Sequence, residues 1–229
     1  MNDGKPIVIF GISQLADLAR FYFQHDSDRE VAAFTVDRDY FESDTHDGLP
    51  VVAFEEIASH YPADEFDLFL PISFKKMNAV REARFKQAKA MSYTCASYVS
   101  SKATTWPDLD IGENCFIFED NTVQPFVTIG DNCILWSGNH IGHHTRIGSH
   151  VFITSQVVVS GACEIGNNCF LGVNATIRDE TTLAPGTLVG MGAVITKDTA
   201  EDEVWLAPRS VRARVSSDRI DSLSHKSVG

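Results

Sequence analysis

Apolar residues follow two different rhythms along the 229-residue chain. Over residues 1 to about 100 they form short runs separated by amphipathic stretches. "PIVIFG" (6–11), "VAAFTVD" (31–37) and "FDLFLPIS" (66–73) predict strands, and "SYTCASYV" (92–99) a fourth. "SQLADLARFYFQH" (13–25) places Leu15, Leu18, Ala19 and Tyr22 at helical spacing, "FEEIASHY" predicts a short helix and "KKMNAVREARFKQAKAM" (75–91) a longer one. Strand alternating with helix predicts a small Rossmann-like parallel sheet flanked by helices. Ligands of such sheets lie at the carboxyl ends of the strands.

From residue 111 an aliphatic side chain occupies every sixth position: Ile111, Ile117, Val123, Ile129, Leu135, Ile141, Ile147, Ile153, Val159, Ile165, Leu171, Ile177, Leu183, Val189 and Ile195. A fixed internal period marks a solenoid, and a six-residue period marks a parallel β-helix. Four residues after each aliphatic comes a compact side chain, from Cys115 and Asn121 through Cys133, Asn139, Cys163 and Cys169 to Ala193. Such residues suit the narrow interior of a triangular prism. Glycine follows the aliphatic at 112, 130, 148 and 166, so three hexads make one coil and five coils fill 111 to about 200. The expected organisation is an α/β domain over 1–100, a β-solenoid over 101–200 and a capping tail over 201–229.

Composition narrows the function. Hydrophobic residues at 44% and charged residues at 22% fit a globular protein. The start lacks a basic region followed by a long apolar run, and no run of about 18 apolar residues occurs, so neither signal peptide nor membrane span is expected. The cytoplasm is the expected compartment. A net charge of -12 argues against a nucleic-acid partner. The five cysteines form no CxxC, and four lie on the compact track, which makes them core fillers rather than redox or metal ligands. The first turn, "GISQLA", lacks G-x-G-x-x-G, which argues against an NAD-dependent enzyme.

The candidate chemistry lies in "SGNHIGHHTRIGSH" (137–150), which holds four of the eight histidines: His140, His143, His144 and His150. A metal site, a catalytic base with neighbours, and a solvated turn are the competing readings. His150, three residues after its aliphatic, is expected on the surface.

The repeats "DIGENCFI", "TIGDNCIL", "RIGSHVFI", "EIGNNCFL" and "LVGMGAVITKD" resemble those of the left-handed β-helix acyltransferases. With the α/β domain in front, nearly the whole chain resembles the NeuD/PglD-like sugar O- and N-acyltransferases. The resemblance implies a homotrimer that uses acetyl-CoA, needs no metal, and acetylates a nucleotide-linked sugar, with N-acetylation of a 4-amino sugar expected first and O-acetylation second. A non-catalytic trimeric β-helix and a zinc carbonic-anhydrase-like enzyme are the more distant alternatives. Zinc β-helix enzymes place two histidines five apart, and no two of the four have that spacing.

The resemblance puts His143 on the position of the catalytic base and Gly161, one coil on, where a backbone N–H serves the thioester. His144 stands where relatives have a carboxylate that orients the base. A second family histidine falls at Phe152, so either His140 takes over its place in the polar network or that role is lost. Gly161, Val173, Gly190, Gly192 and Lys197 are the expected acyl-CoA contacts, with Arg178, Arg209 and Arg212 as further phosphate candidates. Gly11, Ser13, Gln14, Asp37, Arg38 and Ser73 would hold the nucleotide-linked sugar. Asn139 is either a substrate contact or an amide lining the core.

Overall fold

The computed structural model describes residues 4–214 together with 216 and 217. The first unit is a five-stranded sheet. Its strands are β1 (Ile7–Phe10), β2 (Val31–Val36), β3 (Thr45–His46), β4 (Leu49–Ala53) and β5 (Asp67–Phe69), in the order β3-β4-β2-β1-β5. All neighbours are parallel except β3 and β4. The predicted strands at 6–11, 31–37 and 66–73 are therefore present, the last one shorter. The β3–β4 hairpin was not expected. Its turn is Asp47-Gly48, both at positive φ (52° and 81°), the dipeptide that such two-residue hairpin turns demand.

Alternation along β1 divides the core. Ile7 and Ile9 face α1 (Gln14–Asp26), while Val8 and Phe10 face the side covered by α2 (Ile57–His60) and α3 (Ala79–Ala90). Helix α3 starts four residues later than the 75–91 stretch predicts. Lys76, Met77 and Asn78 instead take left-handed backbone (φ 53°, 49° and 66°). Asn78 fixes that turn by donating from Nδ2 to the carbonyls of Asn168 (3.1 Å) and Cys169 (3.2 Å).

The expected fourth strand divides between the two units. Cys95 bridges Leu68 beside β5, whereas Tyr98–Val99 pairs with Phe116–Ile117 and opens the prism. From there three parallel sheets stack coil upon coil, with partners 18 residues apart such as Ile129 and Ile147. Fourteen of the fifteen predicted aliphatics are fully buried and Ile111, at the open end, is partly so. Every residue of the compact track is buried. Its cysteines donate their S–H groups to the carbonyl fifteen residues on, as Cys133 does to Gly148 (3.1 Å) and Cys163 to Arg178 (3.1 Å). Burial pushes the Cys169 thiol up to about 11 and the Cys95 thiol up to about 12, out of the reactive range.

The outward residues give each face a character. One face is aromatic: Tyr98, Phe116, Ile134, Phe152 and Phe170 pack against α1 and the sheet in one shared core. A second is polar: Asp110, Thr128, Arg146, Glu164 and Thr182. The third is almost uncharged: Thr122, His140, Val158, Thr176 and Val194. Each strand pair is followed by a tight turn whose third residue is left-handed: Asn114, Asp120, Phe126, Asn132, Gly138, His144, His150 and so on to Gly192. After Ile195 the count slips. Val204–Trp205 pairs with Leu188–Val189 sixteen residues on, and Trp205 and Ala207 lie against the end of the prism core. Residues 206–214 are mostly exposed, and 215 and 218–229 of the expected tail lie outside the described residues.

His150 corrects the surface expectation. It is 9% exposed, beside Phe85 of α3. Leu70 N–H donates to Asn114 Oδ1, Asn114 Nδ2 donates to Asn132 Oδ1, and Asn132 Nδ2 therefore donates to His150 Nδ1 (2.8 Å). That chain requires an unprotonated Nδ1. Burial lowers the His150 pKa below its ordinary 6.5, against the opposing pull of Glu82. The folded state thus resists a proton that the unfolded state accepts, so stability is lost as pH falls below about 6.5. The wild-type Tm is expected to fall more steeply with acid than that of His150→Asn. Parallel slopes would remove His150 from the account.

Candidate active site

His143 and His144 occupy the corner between the uncharged and polar faces. Ile141 fixes the register from inside the prism, Gly142 opens the turn, and the next two residues project outward and are exposed. Gly142 is required there: a Cβ would lie 2.5 Å from the Gly161 nitrogen of the following coil. The His143 backbone N–H donates to Gln124 Oε1 (2.8 Å) and its carbonyl accepts from Ala162 N–H (2.7 Å), so coils on both sides hold it.

The His143 ring lies over Gly161. A Cβ at Gly161 would sit 2.7 Å from His143 Cε1, 2.9 Å from Nε2 and 3.2 Å from Nδ1, so the Cε1 edge, flanked by both ring nitrogens, faces that backbone. The Gly161 N–H has no hydrogen-bond partner among the described residues. His143 Nδ1 is also 3.1 Å from His144 Nδ1. The His144 ring packs on Phe126, 4.7 Å away between centroids. An exposed imidazole beside a residue with an unpaired N–H is an arrangement that can take a proton and steady a developing oxyanion.

Gly161→Ala tests this geometry. The backbone there needs no positive φ, so the fold survives, but the new methyl group displaces the His143 ring. Turnover is expected to fall about tenfold to a hundredfold, since misplacing a reacting group by about 1 Å costs that much. Unchanged turnover with unchanged melting would show that the ring position does not matter.

The other expected site residues divide by corner. Lys197 shares the His143 corner three coils on, with its ammonium 5.3 Å from the centre of the Trp205 ring. Arg178 is exposed one coil beyond Ser160 on the same corner. Val173, Gly190 and Gly192 lie on the opposite edge of the uncharged face, where Val173 and Met191 are exposed. The structure does not bring them to His143 within one chain. His140 projects from the uncharged face and makes no hydrogen bond to His143. Arg209 and Arg212 are exposed, outside any strand.

Asn139 takes the core alternative and is corrected as a substrate contact. It is 1% exposed, donates to Asn121 Oδ1 (3.0 Å) and accepts from Val157 N–H (2.8 Å) inside the prism. No group of three or more potential metal ligands occurs among the described residues.

The α/β unit forms a second centre. Gly11 (φ 98°) ends β1, and the exposed Ser13 and Gln14 open α1 with no side-chain cap on its first N–H groups. Such a helix start attracts anions. Asp37 ends β2. Its Oδ2 pairs with Arg84 Nη2 (2.7 Å), and its Oδ1 is buried without a partner. Arg38 is taken up by Glu56, and Ser73 is exposed on the loop after β5. Arg84, which the sequence reading did not select, lines a cavity of about 370 Å³ with Lys76 and Val80. Nothing in the helical pattern of α3 distinguished it from its charged neighbours.

Residues 109–143 match the bacterial transferase hexapeptide family (six repeats), and residues 164–197 match the hexapeptide repeat of succinyl-transferase. These segments carry hexapeptide repeats, and the chain as a whole has the two-unit, left-handed β-helix fold of the NeuD/PglD-like sugar acyltransferases. Among solved structures it is similar to perosamine N-acetyltransferase from Caulobacter crescentus, bound to CoA and GDP-perosamine, at 22% identity and TM-score 0.78 over 88% of this chain and 94% of that one. The acetyltransferase domain of PglB from Neisseria gonorrhoeae, bound to acetyl coenzyme A, matches at 20% identity and TM-score 0.75 over 89% and 97%. WeeI from Acinetobacter baumannii matches at 21% identity and TM-score 0.73 over 88% and 96%. No curated protein sequence matches the chain. No helix among the described residues is long and apolar enough to cross a membrane.

Proposed function

We propose that the protein transfers the acetyl group of acetyl-CoA to the amino group of a nucleotide-linked 4-amino sugar, with His143 as general base. The observation that carries this reading is the exposed His143 ring packed over Gly161, a residue whose N–H is unpaired among the described residues. The sugar amine attacks the thioester carbonyl and its proton passes to His143 Nε2. The oxyanion is steadied by the Gly161 N–H. Collapse breaks the C–S bond, and the proton passes from the imidazolium to the leaving thiolate. The similar structures bound to CoA, acetyl coenzyme A and GDP-perosamine support this substrate pair.

The nucleotide would lie at Gly11–Gln14, with the free Oδ1 of Asp37 accepting from hydroxyls and Arg84 beside it. This unit packs on the aromatic face, which is opposite the His143 corner. Val173, Gly190 and Gly192 lie on a different corner from His143. Both facts favour a site completed by a neighbouring prism in a homotrimer, with CoA in the groove between them. The cytoplasm supplies both substrates.

The test is thiol release from acetyl-CoA with UDP-, dTDP- and GDP-linked 4-amino sugars, beside the same nucleotides bearing hydroxyl sugars. Release with an amino sugar supports N-acetylation. Release only with hydroxyl sugars moves the reaction to O-acetylation, and none with either rejects the transferase.

A further inference from the structure

The turn one coil before the histidines has an unusual occupant. The third residue of each prism turn is left-handed, and Asn, Asp, Gly, His, Gln, Ala and Glu fill the others. Phe126 fills this one, at φ 66°. A bulky side chain there is a true outlier. Burial within the chain does not repay it, because Phe126 is 69% exposed there. Such strain persists where it serves a site.

What the ring touches is His144, whose own Nδ1 is 3.1 Å from His143 Nδ1. Two ring nitrogens at that distance share one proton. From the same early turn Gln124 holds the His143 backbone N–H. The turn 124–126 therefore supports both histidines, one through its backbone and one through its ring.

We propose that Phe126 and His144 are the positioning pair of His143, in the place where a carboxylate would otherwise orient the base. Phe126 fixes the His144 ring so that its Nδ1 lone pair accepts from His143 Nδ1–H. The remaining lone pair of His143 is then on Nε2, on a ring that lies over Gly161. An uncharged acceptor sets the tautomer without placing an anion beside the thioester. The inference rests on His143 being the base.

The experiment uses the full chain in its native assembly. Phe126→Asn relieves the backbone, because Asn suits left-handed φ, but removes the ring. Its Tm should equal or exceed that of wild type while kcat falls about tenfold and the KM for acetyl-CoA stays constant. His144→Asn retains an acceptor oxygen and should keep most of the activity, whereas His144→Leu should lower kcat about tenfold. Nitrogen-15 shifts of the His143 ring should show a single Nδ1–H tautomer in wild type and a mixture in Phe126→Asn. A lower Tm with unchanged kcat and unchanged tautomer would make Phe126 a packing residue and overturn the proposal, as would equal activity of the two His144 variants. The tautomer measurement needs no turnover. A wild type without transferase activity would therefore reject the proposed function while the nitrogen shifts still decide the pairing.

Discussion

His143→Asn is expected to lower kcat for acetyl transfer by about 10²–10⁴ while coenzyme A affinity stays nearly constant. The substitution keeps a polar side chain at an exposed corner, so packing is unaffected. What it removes is the imidazole over Gly161. A base acts as the amine loses its proton and contributes little to the resting complex, so the loss belongs in kcat. His144→Ala should cost less, because His144 meets His143 only at Nδ1. Single-turnover acetyl transfer with both substrates saturating, beside calorimetry of coenzyme A binding, separates the two quantities. If His144→Ala were inactive and His143→Ala near wild type, the base would be the other histidine and the turn would be read one residue out of place.

The prism was legible because its rule is local. A narrow interior admits one aliphatic and one compact side chain per hexad, and both tracks hold without a slip from Ile117 to Ile195. The outward corner at His143 was legible for the same reason, since counting two residues past Ile141 reaches the exposed turn. A further periodic signal went unread. Every eighteenth outward residue is large and apolar (Tyr98, Phe116, Ile134, Phe152 and Phe170), and this marks the face that the α/β unit covers. The same cover explains His150, whose turn position resembles that of His144 but which faces α3 instead of solvent. Sequence spacing assigns a residue to a corner. It cannot say which corner another unit will occupy. Asn139 shows the complementary case: the compact track had already placed it inside the prism, and its hydrogen bonds keep it there. The slip at Val204–Trp205 was hidden because the chain regains the pairing two residues early, with an aromatic side chain in place of an aliphatic one.

Arg81→Met is expected to destabilise the protein by about 3–5 kcal/mol. Arg81 is fully buried, and its helix reads in sequence as an ordinary charged surface helix. Nε donates to the Asn132 carbonyl (3.1 Å). Nη1 donates to the Ile72 carbonyl (3.1 Å) and Asn78 Oδ1 (3.0 Å). Nη2 donates to the carbonyls of His150 (3.0 Å) and Val151 (3.3 Å). All five N–H groups are thus used, and the acceptors come from both units. Burial brings the guanidinium pKa down to about 10, so the group remains charged at neutral pH, compensated by carbonyl oxygens. Methionine fills much of the volume but leaves the Ile72, Asn132 and His150 carbonyls dry and unpaired, and it also removes the donor to Asn78 Oδ1, on the side chain that holds the left-handed turn before α3. Lysine has three donors on one nitrogen and cannot reach acceptors spread around a planar fork, so Arg81→Lys should recover less than half of the loss. Calorimetry is the suitable measurement, because loss of a bond shared by two units should lower the transition of the α/β unit and separate it from that of the prism. A single transition at the wild-type midpoint in Arg81→Met would mean that the aromatic face alone joins the two units, and that Arg81 only fills space between them.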